Sequence, residues 1–249
     1  MVDTAMGVRP EHGRKLEQWL RRPLGRRVYE TELSLLEDLP GVFGFFALQL
    51  GYWGPERELL SDLKVLHRFR VCPGGPEAEV RARLDQLPFQ SESVDAVILP
   101  HSLEFAEHPH RLLREVDRIL VAGGHVLVLA FNPWGPWGLR RFLHRDRSEP
   151  PWSARLLGER RIRDWLSLLG YEIVQARRYF YRLPVGNRRL LERLEFMERA
   201  GPRIWPMMPG AYMLLARKRV CTLTPIRPRR RLRRAVAAPA LAGTRRQSY

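Results

Sequence analysis

The chain has 249 residues, 45% of them hydrophobic and 28% charged, which is enough apolar material for one sizeable core and argues against wholesale disorder. The formal net charge is +16, yet residues 217–249 hold eleven Arg/Lys and no acid, so the remainder carries only +5 (16 − 11). No stretch offers the ~20 apolar residues of a spanning helix, and the N-terminus lacks the apolar core of a secretory signal.

In chain order, Glu11 to Leu39 reads as helix: Leu16, Trp19 and Leu20 share a face, Pro23 interrupts, and Leu24, Val28, Leu33, Leu35, Leu36 and Leu39 resume the stripe. After Pro40-Gly41, the run VFGFFALQLG (Val42 to Gly51) has the continuous apolar character of a strand buried on both faces. A short helix over Pro55 to Leu63, a strand near Val65 to Val71 and a short strand over Ala78 to Leu84 follow. VDAVIL, residues 94–99, is a buried strand introduced by the polar turn QSES, with Asp95 a structural residue at its opening.

Pro109 suits a first helical turn, and Leu112, Leu113, Val116, Ile119 and Leu120 make one stripe, with Gly123-Gly124 as the stop. HVLVLAF (His125 to Phe131) is the clearest strand. NPWGPWG then reads as a rigid loop packed by Trp134 and Trp137, and Arg140 to Trp152 as a polar connection. Glu159 to Leu169 is an amphipathic helix, YEIVQARRYF a strand, Arg188 to Arg199 a charged helix and GAYMLLARK a last strand. Strand–helix alternation with crossover-length connections predicts an α/β layered fold with a mainly parallel sheet. The organisation expected is an N-terminal helical segment (1–40), an α/β domain (41–219) and a disordered basic tail (220–249).

In such sheets ligands bind beyond the carboxyl ends of the strands. Those ends contain no GxGxxG, and no GxxxxGK[ST], HExxH or GxSxG occurs anywhere, which disfavours NAD(P), P-loop, zinc and serine-hydrolase chemistry. The two cysteines, Cys72 and Cys221, have no ligand spacing and fit a reducing, cytoplasmic setting; no metal site is expected.

Residues 85–138 carry a more specific pattern: Leu87-Pro88-Phe89, Asp95, Leu103-Glu104-Phe105, the Arg114 to Gly124 helix and the His125 to Phe131 strand. In this order and spacing the segment resembles class I S-adenosylmethionine-dependent methyltransferases of the type 11 family, and is similar to a bacterial YafS-like group within it. The resemblance implies a Rossmann-like fold with a seven-stranded, mainly parallel sheet and helices on both faces, and S-adenosylmethionine as cofactor, with the methyl acceptor unspecified. It would place the cofactor against Gln49, Gly51, Tyr52, Trp53, Arg83, Leu84, Asp85, Pro100 and His101. Where the family pattern has acidic-x-Gly-x-Gly-x-Gly, this chain has Gln49 at the acidic position and Gly51, Trp53 and Pro55 at the glycine positions. A Trp and a Pro there reshape the pocket, because glycine is what lets backbone approach a ligand closely. The acid expected at the end of the second strand has no counterpart near Arg70–Pro73, and Arg83 stands four residues before Leu87, where relatives place an Asp.

His101 and Glu104 follow the fourth strand, where an acceptor would sit. Imidazole titrates near neutrality, making His101 the better base candidate; the structural alternatives are a backbone-bonded loop histidine and a capping or Arg-paired glutamate. Asn132, Pro133 and Trp134 are candidate acceptor-lining residues, against an ordinary turn. The tail admits three roles: a solvated end, an arm contacting RNA or the ribosome through phosphates, or attachment to anionic lipid. A second functional class therefore stands beside the enzyme: a methyltransferase fold without catalysis that binds RNA through residues 220–249.

Overall fold

The computed structural model describes residues 10–39, 43–54, 64–75, 78–143 and 149–219. The expected helix at 55–63 and the basic tail at 220–249 lie outside them. Two N-terminal helices, α1 (Pro10–Leu20) and α2 (Pro23–Glu37), precede strands β1 (Phe43–Leu50), β2 (Lys64–Cys72), β3 (Val80–Arg81) and β4 (Val94–Pro100). Next come α3 (Ser102–Phe105), α4 (Pro109–Ile119), β5 (Leu120–Phe131), α5 (Pro136–Leu143) and α6 (Glu159–Leu168). The chain closes with β6 (Tyr171–Tyr179), α7 (Arg188–Arg193), α8 (Phe196–Ile204) and β7 (Ala211–Lys218).

The seven strands form one sheet in the order β3-β2-β1-β4-β5-β7-β6. β1 to β5 are mutually parallel, and β7 enters antiparallel between β5 and β6. The sheet is thus mixed but mostly parallel. Strand order reverses between β1 and β4, the place where an open α/β sheet leaves a crevice at its carboxyl edge.

Alternation along the strands sorts the core into two layers. Ala47, Ala96, Ile98, Leu127, Leu129, Phe131, Met213 and Leu215 face α1 and α2, packing with Leu16, Trp19, Val28 and Leu36. Leu48, Leu50, Val97, Leu99, Val126, Val128, Leu214 and Ala216 face the other way, with Leu112, Leu113, Val116, Ile162 and Leu166 of α4 and α6. Helices therefore cover both faces. α1 also runs along the carboxyl edge: Gly13 lies on the Tyr52 ring beyond β1, while Trp19 meets Phe131 and Trp137 edge-on beyond β5 at 5.9 and 5.7 Å.

Several local expectations are corrected. β1 is not buried throughout: Phe45 is 67% and Phe46 41% exposed, because only Ala47–Gln49 have β4 as a neighbour. Instead the Asp95 carboxylate accepts the Phe45 and Phe46 amides at 2.8 and 2.9 Å, so Asp95 closes the splayed start of the β1–β4 pair. Gly123-Gly124 does not end α4, which stops at Ile119. It lies inside β5, where the register with β4 shifts between Val94 and Ala96, Gly123 has φ +82°, and a Cβ on Gly124 would strike Leu120 at 2.3 Å. The expected loop and connection after Asn132 contain α5, with Trp137 1% and Trp134 78% exposed, and Arg188–Arg199 divides into α7 and the start of α8.

The layering has a measurable consequence. Leu214→Ala, removing a fully buried side chain from the middle of β7, is expected to cost about 2–5 kcal/mol in chemical denaturation. Phe142→Ser, at an 82% exposed position on α5, should change stability by less than about 0.5 kcal/mol.

Candidate active site

β1 ends at Leu50, and the φ of +97° at the next residue, Gly51, turns the chain sharply while the Gly51 amide still bonds the Val71 carbonyl at 2.8 Å. A Cβ on Gly51 would lie 2.5 Å from Ser102 Oγ and 3.8 Å from Leu84 Cδ1. The segments singled out in sequence, Gly51–Trp53, Arg83–Asp85 and Pro100–His101, are thus brought to one place beside the strand-order reversal. Gln49 is buried and donates to the Gly51 carbonyl at 3.2 Å, stiffening the turn from within. Arg83 and Asp85 form a two-pronged ion pair at 3.0 and 3.1 Å, which occupies both groups with each other. The Pro100 carbonyl accepts the Ser102 hydroxyl at 3.2 Å, and the same hydroxyl donates to Leu50 O.

The crevice above Gly51 holds the loop's own side chains. The Tyr52 ring packs on Gly13 of α1, and its hydroxyl donates to the Gly74 carbonyl, bridging the loops that follow β1 and β2. Trp53 is 1% exposed, its ring 4.4 Å from Tyr29 of α2. Its indole N–H donates to Glu32 Oε2 at 2.6 Å.

Glu32 is the centre of a fully buried polar cluster. Its other oxygen, Oε1, faces His101 Nε2 at 3.0 Å and accepts the Tyr179 hydroxyl at 2.7 Å. His101 Nδ1 faces Glu104 Oε2 at 2.8 Å, and Glu104 Oε1 accepts the Phe131 amide at 2.9 Å. The imidazole stacks on the Phe131 ring at 4.1 Å and sits in the left-handed region (φ +55°), held by its own amide to the Leu129 carbonyl. A carboxyl group faces each ring nitrogen, so a proton on both nitrogens satisfies the two contacts and the imidazolium is the favoured form of His101. Burial alone would lower its pKa; attraction to Glu32, the bonds to Glu104 and Glu32, and attraction to Glu104 together outweigh that and raise it to about 9. Burial pushes Glu104 up, with His101 and the Phe131 amide pulling the other way. Burial, and then Glu32, push the Tyr179 phenol well above its ordinary value. An imidazolium with no exposed edge and no vacant nitrogen is not presented to an acceptor, and neither is Glu104, 2% exposed and bonded through both oxygens.

The candidate acceptor residues fall elsewhere. Asn132 is buried, donating to the Pro209 carbonyl at 3.0 Å and accepting the Trp134 amide at 3.2 Å. Pro133 lies against Gly158. Asn132 and Trp134 line a cavity of about 470 Å³ together with Gly158, Arg178, Met207 and Met208, a volume in the small-molecule range. Arg178 is tied to Glu159 at 2.7 Å on its wall. Among the described residues no group of His, Cys, Asp and Glu could hold a metal.

Sequence reasoning passed over Glu32, Tyr179, Ser102 and the Met207-Met208 wall. For Glu32 a signal existed: it stands four residues after Val28 and four before Leu36, a carboxylate on the apolar stripe of an amphipathic helix. Tyr179 and the methionines carry no such mark, since their meeting depends on how β6 and β7 pair.

Residues 65–128 match the methyltransferase domain family. The YafS protein of Escherichia coli is 33% identical over 205 residues, covering 79% of this chain and 80% of that one. An S-adenosylmethionine-dependent methyltransferase of Thermotoga maritima superposes with a TM-score of 0.59 at 17% identity, over 85% of this chain and 97% of that one. Another from Archaeoglobus fulgidus gives 0.53 at 16%, over 76% and 93%.

The sign of the His101 shift sets a pH dependence. A pKa raised from 6.5 to about 9 adds stability that is complete below the unfolded value and disappears as pH climbs through the folded one. The unfolding free energy of the protein should therefore fall as pH rises from 6.5 to about 9 and level off above that, and His101→Gln should flatten that fall while lowering stability at neutral pH. A parallel decline in both proteins would show that the imidazolium is not its source.

Proposed function

The chain belongs to the YafS family and carries a methyltransferase domain, and from that premise we propose that it moves a methyl group from S-adenosylmethionine to a small acceptor held beside β5. The observation that supports this most directly is the convergence of Gly51, Leu84, Pro100 and Ser102 at the strand-order reversal, next to a separate cavity opening at Asn132. In this reading the cofactor lies over Gly51–Trp53 with Arg83–Asp85 and Pro100–His101 beside it. The cofactor supplies an electrophilic methyl on a sulfonium, so the protein's task is positioning rather than covalent chemistry. In the present arrangement the residues do not fit that group: Tyr52 and Trp53 take up the crevice, and β2 ends in buried Cys72 with no carboxylate of its own to hold ribose hydroxyls. The segments are in place, but the volume between them is filled.

The acceptor reading rests on the cavity's chemistry. Trp134, Met207 and Met208 offer flat and polarisable apolar surface, and Arg160 offers a cationic edge beside the Arg178–Glu159 ion pair. A compact acceptor with an apolar or aromatic body and a polar or anionic end fits that lining. With His101 and Glu104 committed to each other, the acceptor we favour attacks through a lone pair that requires no strong base from them. Two widely separated cysteines without ligand spacing, Cys72 buried, support a reducing compartment, and we place the protein in the cytoplasm. No helix among the described residues is long and apolar enough to cross a membrane.

Calorimetric titration with S-adenosylhomocysteine tests the cofactor half: saturable heat is expected, and none at millimolar ligand would overturn the reading. The acceptor half is tested by transfer of labelled methyl groups from S-adenosylmethionine into a fractionated small-molecule cell extract. Trp134→Ala is expected to reduce incorporation at least about tenfold, the scale of one lost aromatic contact, while S-adenosylhomocysteine binding is unchanged. Undiminished incorporation by the variant would move the acceptor away from this cavity.

A further inference from the structure

Between β6 and β7 the chain leaves a run of large apolar side chains in water. α8 is fastened on its inner side: a Cβ on Gly201 would strike the Tyr181 ring at 2.4 Å, and the Glu198 carboxylate accepts the Tyr181 amide at 3.0 Å. Phe196, Arg199, Arg203 and Ile204 fall within about 140° of one another around the helix axis, on the side turned away from those anchors. The chain then turns, with the Met208 amide on the Trp205 carbonyl at 3.0 Å, and sets Met207 and Met208 on the wall of the Asn132 cavity with Trp134. Asn132 holds this rim from within, its side-chain amide donating to the Pro209 carbonyl at 3.0 Å and its backbone amide to the Gly210 carbonyl at 2.8 Å. Trp134, Phe196, Ile204 and Met207 are each more than half exposed, although the backbone that carries them is fixed. Soluble surfaces seldom leave so many large apolar groups together without a partner.

The charges beside them have one sign. Arg178 is neutralised by Glu159, but Arg160, Arg199 and Arg203 are exposed and make no hydrogen bond or ion pair among the described residues. Of the residues lining the hollow along α8, Glu195 alone is acidic. We propose that this face is a docking surface for an anionic phospholipid bilayer. Trp134, Phe196, Ile204 and Met207 enter the headgroup layer, and the three arginines meet lipid phosphates. Charge complementarity selects this occupant. The chain carries +16, and residues 217–249 add eleven Arg/Lys and no acid, so a negative surface draws it in while a second copy would be repelled. Basic charge and apolar insertion are the two signals that together give lasting attachment without a spanning helix. The contact is independent of where the cofactor lies.

Full-length protein is expected to sediment with vesicles of phosphatidylcholine containing about one third phosphatidylglycerol, and not with phosphatidylcholine alone. Lipids brominated near the top of the acyl chain should quench tryptophan emission, and Trp134→Phe should remove most of that quenching while vesicle binding persists. The double variant Ile204→Ser/Met207→Ser is expected to bind about tenfold more weakly, the scale of two partly inserted apolar side chains. Both positions are exposed, so its thermal unfolding should match wild type. Arg160→Gln/Arg203→Gln should weaken binding and flatten its dependence on salt. Vesicle binding without quenching, and equal in wild type and both double variants, would show that charge elsewhere in the chain carries the attachment and would overturn this surface. So would equal binding to neutral and anionic vesicles, or binding to neither. A dimer in sedimentation velocity that Ile204→Ser/Met207→Ser dissociates, with no vesicle binding, would assign the face to a second copy instead.

Discussion

The buried imidazolium of His101, shared by Glu32 and Glu104, is the constraint around which the carboxyl edge is organised. Three ionisable groups with no exposed surface would be prohibitive singly, since each charge taken from water costs several kcal/mol. Together they satisfy one another, and the spare acceptor positions are taken by Trp53, Tyr179 and the Phe131 amide. Such a cluster is weak as a source of stability compared with apolar packing of the same volume. Its strength lies in geometry: every partner must be in position or a buried charge is left alone. It therefore couples α2, the turn after β1, the turn after β4 and the end of β6 into a single arrangement.

That coupling explains why His101 is held in a left-handed backbone conformation. Histidine adopts that region more readily than bulky or branched residues, and the turn aims the ring back under α2 with its flat face on Phe131. The same turn carries Ser102 against Gly51 and starts the helix on which Glu104 sits. A residue resembling an acid–base catalyst in sequence is thus built into the wall of the site, while the chemistry of methyl transfer asks the protein chiefly to hold two reactants in line.

Much of the architecture is legible in the sequence because the sheet is buried on two sides. Apart from Asp95 and His125, residues 94–99 and 125–131 are apolar throughout, and the helix between them shows a clear apolar stripe, so period and length settle their identities. The failures have physical causes. Phe45 and Phe46 look buried because hydrophobicity alone does not reveal that β1 begins ahead of its neighbour β4. Gly123-Gly124 looks like a helix stop because a bulge and a C-cap require the same residue. The convergence of Gly51, Leu84 and Ser102 follows from strand order, which the family pattern supplies. The role of Glu32 does not follow, since its three partners lie 21, 69 and 147 residues away in the chain.

The insertion of β7 between β5 and β6 has a consequence for diversification. By running antiparallel, β7 delivers its leading residues, Met207 to Gly210, to the rim where β5 ends, and the Gly210 carbonyl takes the Asn132 amide at 2.8 Å. Every wall of the Asn132 cavity consequently derives from chain positions beyond 128, downstream of the segment shared with the wider methyltransferase domain family. On the proposed acceptor placement, substrate choice would be written on an exchangeable cassette, and grafting the 132–134, 158–160 and 207–209 stretches between relatives would be a route to new acceptors that leaves residues 65–128 untouched.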